Sequence, residues 1–348
     1  MADFLEIMAL TATNSIASGA DLLGPLDISD DVALDEILVD PETGEETDQQ
    51  ILEEPRQALL LNVFEEFAYR QECLGGAHPF VVDYETFRIT YTGGELVDTG
   101  HLVYVFCLLV SALREKRFEL NSAEKALLAE LVRRIGNCFQ ICACLAAGAY
   151  FSGHVASFGF PRAAGDSFLP ALRAAYKRFG VGEVRATNED VLVDLPNSVK
   201  DGGIDVIAWK DMPDRMPGKL YLVGQCASGS NWRSKSVVEY IEQLHGTWFT
   251  ENPAKHCTPA MFIPFTFHHD LTRIEGRSYI GKIRTNFWSD ERRYGIIFDR
   301  LRIAFLAGQF AQLSVEIREG IDGNDRKAEL KTWIDAILQH LANDEVAA

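Results

Sequence analysis

The stretch that decides the fold covers residues 200–235 and reads KDGGIDVIAWKDMPDRMPGKLYLVGQCASGSNWRSK. Runs of apolar and β-branched residues predict two strands in it, over residues 203–210 and 219–227. Between them, DMPDRMPG carries two prolines and a glycine, which predicts that the chain reverses direction. The two strands are therefore expected to form a hairpin.

Two polar side chains interrupt these apolar strands. Asp205 and Gln225 each lie ten residues from Arg215, in the middle of the turn. A hairpin folded symmetrically about that point places the carboxylate opposite the amide. Because an acid within an apolar strand is costly to bury without a partner or a metal ion, the pair predicts a functional site.

The segment resembles the PD-(D/E)XK nuclease superfamily, most closely the restriction-endonuclease-like enzymes of the Mrr type. The resemblance is carried by the glycine-rich lead into Gly203-Ile204-Asp205-Val206 and by Gln225-Cys226-Ala227 at the end of the second strand. It covers about residues 160–265 and implies a metal-dependent phosphodiesterase. The chain departs from the family pattern at Ala227, where a lysine is expected.

A metal site follows from the resemblance. It implies a Mg²⁺ or Mn²⁺ ion with Asp205 as the principal ligand and with the side-chain oxygen of Gln225 and the backbone carbonyl of Cys226 as further ligands. Such an ion, held by oxygen atoms, activates water and stabilises charge on a phosphate. The family often takes an additional acid from the first core helix. Asp166 and Glu183 flank that predicted helix, and Glu183 is the preferred candidate.

The positive charge that the family's lysine supplies must then come from another position. Lys210 has the wrong strand parity to share a face with Asp205. Lys200 lies in the lead-in loop, and Lys235 lies near the start of the next predicted helix, from which a long side chain could reach back. We take Lys235 as the candidate catalytic cation. The alternative is an ordinary helical pair with Glu239, four residues further on.

Contacts with nucleic acid are predicted around the same helix entrance. The candidates are Lys200, Asn231, Trp232 and Arg233, beside Ser228-Gly229-Ser230, whose donors suit a phosphate. Asn231 could equally cap the helix, and Trp232 could equally lie in the core. Further along, arginines in residues 284–300 could meet a phosphate backbone or pair with surface acids.

The charge is unevenly distributed. The chain has a net charge of −18, and residues 1–56 hold fifteen Asp and Glu against the single basic Arg56, which leaves about −4 for the remainder. We expect residues 1–55 to be an acidic, largely flexible segment. Since affinity for nucleic acid comes largely from Lys and Arg, we expect weak intrinsic affinity for DNA. A protein partner resembling an ATPase or helicase would then deliver the substrate.

Cysteine usage and hydropathy bear on the compartment. The seven cysteines are an odd number and lie mostly in apolar runs, which favours reduced core thiols and a cytoplasmic location. No basic segment followed by an apolar run marks a signal peptide. The longest apolar stretch, residues 141–151, is too short to cross a bilayer, so no membrane association is expected.

The predicted fold class is α/β, with a restriction-endonuclease-like α-β-β-β-α-β core, an N-terminal helical domain and C-terminal helices. The four predicted units are the acidic segment 1–55, a helical scaffold 56–157, the core 158–270 and a C-terminal helical extension 271–348. Within the core, the helices are expected over residues 166–179 and 235–249. The first strand is expected over residues 189–195, and the last over residues 259–265.

These observations favour a metal-dependent nuclease acting on DNA. The resemblance implies that it serves as the nuclease component of a prokaryotic defence or restriction system. Ala227 leaves open a catalytically inactive nuclease-fold subunit for binding or assembly, and a sensor of a nucleotide ligand is a third reading. The chain has no G-x-x-x-x-G-K-[ST] loop, which argues against an NTPase.

Overall fold

The computed structural model describes residues 1–23, 49–114, 122–160, 162, 167–185, 202–214, 216, 218–254, 256–267 and 279–347. In these residues the chain is mixed α/β, with helices on both faces of a central sheet. The helices are α1 (Ala2–Thr11), α2 (Gln49–Leu74), α3 (Thr99–Arg114), α4 (Ser122–Phe151), α5 (Phe168–Phe179), α6 (Val237–Trp248), α7 (Tyr279–Tyr294), α8 (Arg300–Gln309), α9 (Val315–Glu319) and α10 (Lys327–Ala347).

The central sheet has five strands in the order β10-β9-β7-β6-β4. Strands β4, β6 and β7 are antiparallel neighbours, whereas β9 and β10 join in parallel. Two small sheets, β1-β3-β2 and β5-β8, lie outside it. The strands are β1 (Ile16–Ser18), β2 (Phe80–Asp83), β3 (Arg88–Tyr91), β4 (His154–Ser157), β5 (Glu183–Val184), β6 (Val206–Lys210), β7 (Leu220–Cys226), β8 (Phe249–Glu251), β9 (Thr258–Phe262) and β10 (Ile296–Phe298).

The predicted hairpin is confirmed as β6 and β7, and so is its register. Val206 pairs with Gly224, and Lys210 pairs with Leu220. One step beyond the last pair, this register sets Asp205 across from Gln225. The amide of Asp205 donates to the carbonyl of Gly224 over 2.9 Å, so the pairing continues past the end of the strand.

The first strand of the sheet differs from the prediction. It is β4, directly after the long helix α4, whereas the predicted strand over residues 189–195 lies outside the described residues. Because β4 pairs with β6, the predicted boundary between residues 157 and 158 falls inside the central fold and separates no structural units. Helix α5 lies between β4 and β6 in the sequence, so the order is α4-β4-α5-β6-β7-α6-β9.

Each face of the central sheet is covered by its own apolar core. Side chains that alternate along β6 divide between the two cores: Val206 and Ala208 face one, and Ile207 and Trp209 face the other. The first core contains residues of α1, α2, α3, α4, α8 and α10, and the second contains residues of α5, α6 and α7. Both ends of the described chain therefore pack on the same face of one sheet.

The first core encloses a cluster of charged side chains. Arg70 donates to Glu6 and Asp3 over 2.6 Å each and also contacts Glu66. Arg300 makes a two-pronged pair with Asp3, with both nitrogen–oxygen distances at 2.8 Å. All these side chains are buried. Such a cluster is tolerable in a core because each charge meets an opposite charge and a hydrogen-bond partner.

This cluster corrects two predictions. Residues 1–23 are not part of a flexible segment, because α1 and β1 are ordered elements and Asp3 and Glu6 lie in the core. The rest of the predicted acidic segment falls mostly on residues 24–48, which lie outside the described residues. Arg300 is fully buried, so it does not contact a phosphate backbone.

Candidate active site

A pocket of about 430 Å³ lies at the end of the hairpin where β6 begins and β7 ends. We call it the Asp205 pocket. Residues from the quoted segment, from α4 and from α6 meet there, so distant parts of the sequence contribute to one wall. The lining residues are Gly136, Phe139, Gln140, Phe160, Gly203, Asp205, Gln225, Cys226, Ser228, Lys235 and Tyr240.

Asp205 is held in this pocket from several sides. Its side chain is buried, and its Oδ2 atom accepts a hydrogen bond from the backbone N–H of Cys226 over 2.7 Å. The Nε2 atom of Gln140 lies 3.4 Å from Oδ1. At Gly159, a Cβ atom would come within 2.3 Å of Oδ1, so glycine is required for this close approach. The carboxylate is therefore fixed in one position.

Gln225 has an acceptor atom that the described residues leave unsatisfied. Its Oε1 atom is buried and has no hydrogen-bond partner among the residues that the structure describes. Leaving a buried acceptor unpaired costs about 1–3 kcal/mol. A cation beside Asp205 would satisfy this atom. The unpaired oxygen, the adjacent carboxylate and the backbone of Cys226 therefore fit an oxygen-liganded ion.

The chemistry of the donor set favours a hard divalent cation. No group of three or more His, Cys, Asp or Glu side chains able to hold a metal occurs in the described part of the chain. Among the described residues, the pocket offers one carboxylate, that of Asp205, together with neutral oxygens. Mg²⁺ is commonly held this way, because it keeps several waters and takes further ligands from substrate phosphates. A structural zinc site would require four nitrogen or sulfur ligands.

Cys226 contributes its backbone to the pocket, and its thiol is not a nucleophile at neutral pH. Burial raises the pKa of the Cys226 thiol well above its ordinary value, and the negative charge of Asp205 raises it further. The positive charge of Lys235 acts in the opposite direction, with a smaller effect. The thiol therefore stays protonated, since the thiolate is the reactive form.

Lys235 lines the pocket with Asp205 and Gln225. The predicted helix over residues 235–249 begins later than expected, because α6 starts at Val237 and the Ser236 hydroxyl caps it by accepting from the backbone N–H of Glu239. Lys235 precedes this cap and has an extended backbone. The alternative, a pair between Lys235 and Glu239 on one helix, is wrong, since Lys235 lies outside the helix.

The predicted fourth ligand, Glu183, is in the wrong place. It lies exposed on β5, where it pairs with Glu251 of β8 in a small separate sheet. Among the described residues that line the Asp205 pocket, none comes from β5. The reason is that α4, and not α5, is the helix beside the pocket. The other candidate, Asp166, lies outside the described residues.

Gln140 on α4 lies beside Asp205 instead, as a hydrogen-bond donor and not as a metal ligand, and the sequence did not predict this contact. The Ser157 hydroxyl donates to Gln140 Oε1 over 3.0 Å, which turns the Nε2 donor toward Asp205. A signal was present, because Gln140 is the one polar side chain in the apolar run CFQICACLAA. A buried amide in such a run needs partners, and this one finds them on Ser157 and Asp205.

The predicted nucleic-acid contacts divide into different environments. Trp232 is buried against Phe267 and Tyr294, so its ring is not available to stack on a base. The guanidinium of Arg233 lies over the Trp232 ring, and its Nε atom pairs with Asp290 over 3.1 Å. Asn231 is exposed and makes no side-chain cap. Lys200 lies outside the described residues.

Comparison with protein-family models, with curated proteins and with solved structures finds no match to this chain. The fold and the site are those of a mixed α/β protein with a pocket at the end of a β-hairpin, in which Asp205 is the one carboxylate among the described lining residues. Within the described residues, no helix is both long and apolar enough to cross a membrane.

Proposed function

We propose that this chain is a metal-dependent nuclease that cleaves phosphodiester bonds in nucleic acid, with DNA the favoured substrate. One observation carries the proposal: Asp205, Gln225 and Lys235 line the same pocket. A carboxylate and an amide oxygen suit a divalent cation, and an ammonium group suits a phosphate. The element order supports it with one change: α4 and β4 stand in place of the expected first helix and strand, and the helix expected to be first, α5, lies between β4 and β6.

Each of these residues has its own role in the proposed reaction. Asp205, Gln225 and the Cys226 carbonyl would hold Mg²⁺ or Mn²⁺, and the bound ion supplies Lewis acidity and an activated water. Gln140 keeps the carboxylate of Asp205 oriented toward the pocket. Lys235 stabilises negative charge as it develops on the phosphate. Phe139 and Tyr240 contribute aromatic rings to the wall of the pocket.

The departure at Ala227 is compatible with activity. Ala227 is fully buried in the second core, so a lysine there would have to leave an apolar environment to reach the pocket. Lys235 supplies a positive charge without that cost. A place in a prokaryotic defence or restriction system, with an ATPase or helicase-like partner, is part of the proposal and derives from the family resemblance. The same alanine favours the second candidate, an inactive nuclease-fold subunit for binding or assembly.

The test is substitution of the principal ligand. We expect Asp205→Asn to abolish Mg²⁺- or Mn²⁺-dependent nicking of plasmid DNA, because asparagine keeps the shape of the side chain and removes the charge that holds the ion. Thermal unfolding measured with and without Mn²⁺ gives a second readout, since an ion that binds the native state raises its stability. The wild type should be stabilised by the ion, and Asp205→Asn should not.

Asp214→Asn is the matched control, because Asp214 is an exposed acid in the turn of the same hairpin. It should nick DNA and respond to the ion as the wild type does. Normal cleavage by Asp205→Asn would overturn the site. A wild type that binds Mn²⁺ but cleaves neither DNA nor RNA would support the inactive subunit.

A further inference from the structure

One tryptophan differs from the others in its exposure. All five tryptophans lie in the described part of the chain, and Trp209, Trp232, Trp248 and Trp333 are buried. Trp288 on α7 is 64% exposed. Tryptophan is highly buried on average and is enriched at interfaces, so an exposed ring becomes informative where other binding groups lie beside it.

Trp288 belongs to an exposed face of α7 that is separate from the buried face of that helix. The buried face is anchored by Ile283 and by Phe287, whose ring stacks on Phe267 with centroids 4.0 Å apart. Arg284, Trp288 and Arg292 recur at four-residue spacing on the other side, and all three are exposed. We call these three residues the outer face of α7. The guanidinium of Arg292 lies 4.7 Å from the centre of the Trp288 ring.

The charge of α7 contrasts with that of the whole chain. The chain carries a net charge of −18, yet residues 279–294 contain four basic side chains against the two acids Asp290 and Glu291. Asp290 is already paired with Arg233. An exposed aromatic ring between arginines combines a surface for stacking with charges for phosphates. This combination is complementary to a nucleic-acid strand.

We propose that the outer face of α7 is a docking surface for single-stranded nucleic acid. A base would stack on Trp288, and the neighbouring phosphates would contact Arg284 and Arg292. A single strand is required, because the faces of paired bases in a duplex are covered by their neighbours. The inference rests on the proposed nuclease function and narrows its substrate class to single-stranded or locally opened nucleic acid.

Helix α7 also contacts the segment that leads into the Asp205 pocket. Asp290 of α7 pairs with Arg233, and the hydroxyl of Tyr294 donates to the backbone carbonyl of Arg233 over 2.6 Å. Lys235, which lines the pocket, follows Arg233 by two residues. Helix α7 therefore contacts the segment that carries the proposed catalytic lysine, through side chains on the opposite side of the helix from its outer face.

The experiment measures binding without cleavage. The full chain is titrated with a 20-nucleotide oligothymidine in EDTA at low salt, and both tryptophan emission and the anisotropy of a labelled oligonucleotide are followed. We expect quenching of the emission, since Trp288 is the exposed fluorophore. Trp288→Phe should lose the quenching and keep most of the affinity. Trp288→Ala should bind about 10-fold more weakly, as expected for the loss of one stacked base.

Two charge variants complete the design. Arg292→Ala should weaken binding and reduce the slope of log affinity against log salt by about 0.7, the contribution of one phosphate contact on a single strand. Lys331→Ala removes an exposed positive charge from α10 and should leave both quantities unchanged. Wild-type affinity in both Trp288→Ala and Arg292→Ala would overturn the proposal. This result is expected if α7 docks a protein instead of nucleic acid. Equally tight binding of a 20-base-pair duplex, with the same dependence on Trp288, would also overturn it.

Failure of this proposal is distinguishable from failure of the nuclease. Binding is measured in EDTA and depends on α7, whereas cleavage needs the ion and Asp205. If Trp288→Ala loses affinity and the wild type cleaves nothing, the docking surface stands and the nuclease does not. If the wild type cleaves in an Asp205-dependent manner and Trp288→Ala binds normally, the nuclease stands and the docking surface does not.

Discussion

Within the proposed function, Lys235 supplies the positive charge that the family pattern assigns to position 227. Position 227 is an alanine buried in the second core, whereas Lys235 lines the pocket from the segment just before α6. Within the proposed function, the cation therefore approaches the phosphate from a loop and not from the strand that holds Gln225. A loop residue of this kind contributes to the reaction and little to the core.

This leads to a prediction about Lys235. Lys235→Ala should lower the cleavage rate by about 10²–10³, the range found for removing one group that stabilises the transition state. Its free energy of unfolding should change by no more than about 0.5 kcal/mol, as is usual for partly exposed side chains. Single-turnover cleavage and urea denaturation measure the two quantities.

Glu239→Ala is the matched control, because Glu239 lies on the exposed side of the first turn of α6. It should cleave at the wild-type rate. A Lys235→Ala variant that cleaves normally would remove the lysine from the mechanism, and one that fails to fold would show that its role is structural.

Sequence reasoning at the residue scale succeeded where local geometry determines position. Asp205 and Gln225 were placed opposite each other because the turn fixes the register of a hairpin. It failed where burial depends on distant segments. Trp232 is covered by Phe267 and Tyr294, which come from elsewhere in the chain, and nothing near Trp232 in the sequence shows this.

At the scale of elements, the short strand β4 shows a limit of periodicity. It follows an apolar helix with only the turn at Ser152-Gly153 between them, so no polar linker marks its start. Gly153 is required there, since a Cβ atom would lie 2.1 Å from the carbonyl oxygen of Trp209. The sequence shows the glycine, but it does not show that β6, which carries Trp209, lies against it.

Helix α6 provides a prediction about pH. His245 is half-buried beside Tyr221, whose hydroxyl lies 3.3 Å from His245 Nε2, and burial lowers the pKa of His245 below its ordinary value. Between the folded pKa and the ordinary value of about 6.5, His245 is therefore protonated in the unfolded chain and neutral in the folded chain. The stability that the folded chain has with a neutral His245 is fully present above about 6.5 and is lost as the pH falls through the lower, folded pKa.

We expect the free energy of unfolding of the wild type to decrease between pH 7.5 and pH 5.5 more steeply than that of His245→Gln, which cannot titrate there. Urea denaturation across this range measures both curves. Parallel curves would show that His245 is equally easy to protonate in the folded and unfolded chains.

At the scale of the whole molecule, the buried charge cluster joins elements that the predicted domains kept apart. Arg70 of α2 meets Asp3 and Glu6 of α1, and Asp3 also meets Arg300 of α8. The predicted units at residues 1–55, 56–157 and 271–348 therefore share one core. Composition could not show this, because the acids of α1 look like the start of a solvated acidic run until their partners are known.

The cluster predicts a large effect of one substitution. Arg70→Met should destabilise the protein by about 3–5 kcal/mol, because the carboxylates of Asp3, Glu6 and Glu66 lose a buried partner. Arg133→Ala is the matched control, since Arg133 pairs with Glu130 at the surface, and it should change stability by no more than about 0.5 kcal/mol. Chemical denaturation compares the three proteins. Similar stability of Arg70→Met and the wild type would show that the cluster is not a net source of stability.

The pairing of Asp3 with Arg300 also bears on how the chain is made. The two residues are 297 positions apart, and both side chains are buried when they meet. At about 5–20 residues per second, a ribosome adds Arg300 on the order of 15–60 s after Asp3. Throughout that interval the carboxylate of Asp3 lacks one of its two arginine partners. Helix α1 must therefore wait for α8 before the carboxylate of Asp3 can be fully enclosed, so this part of the core closes only after Arg300 has been added.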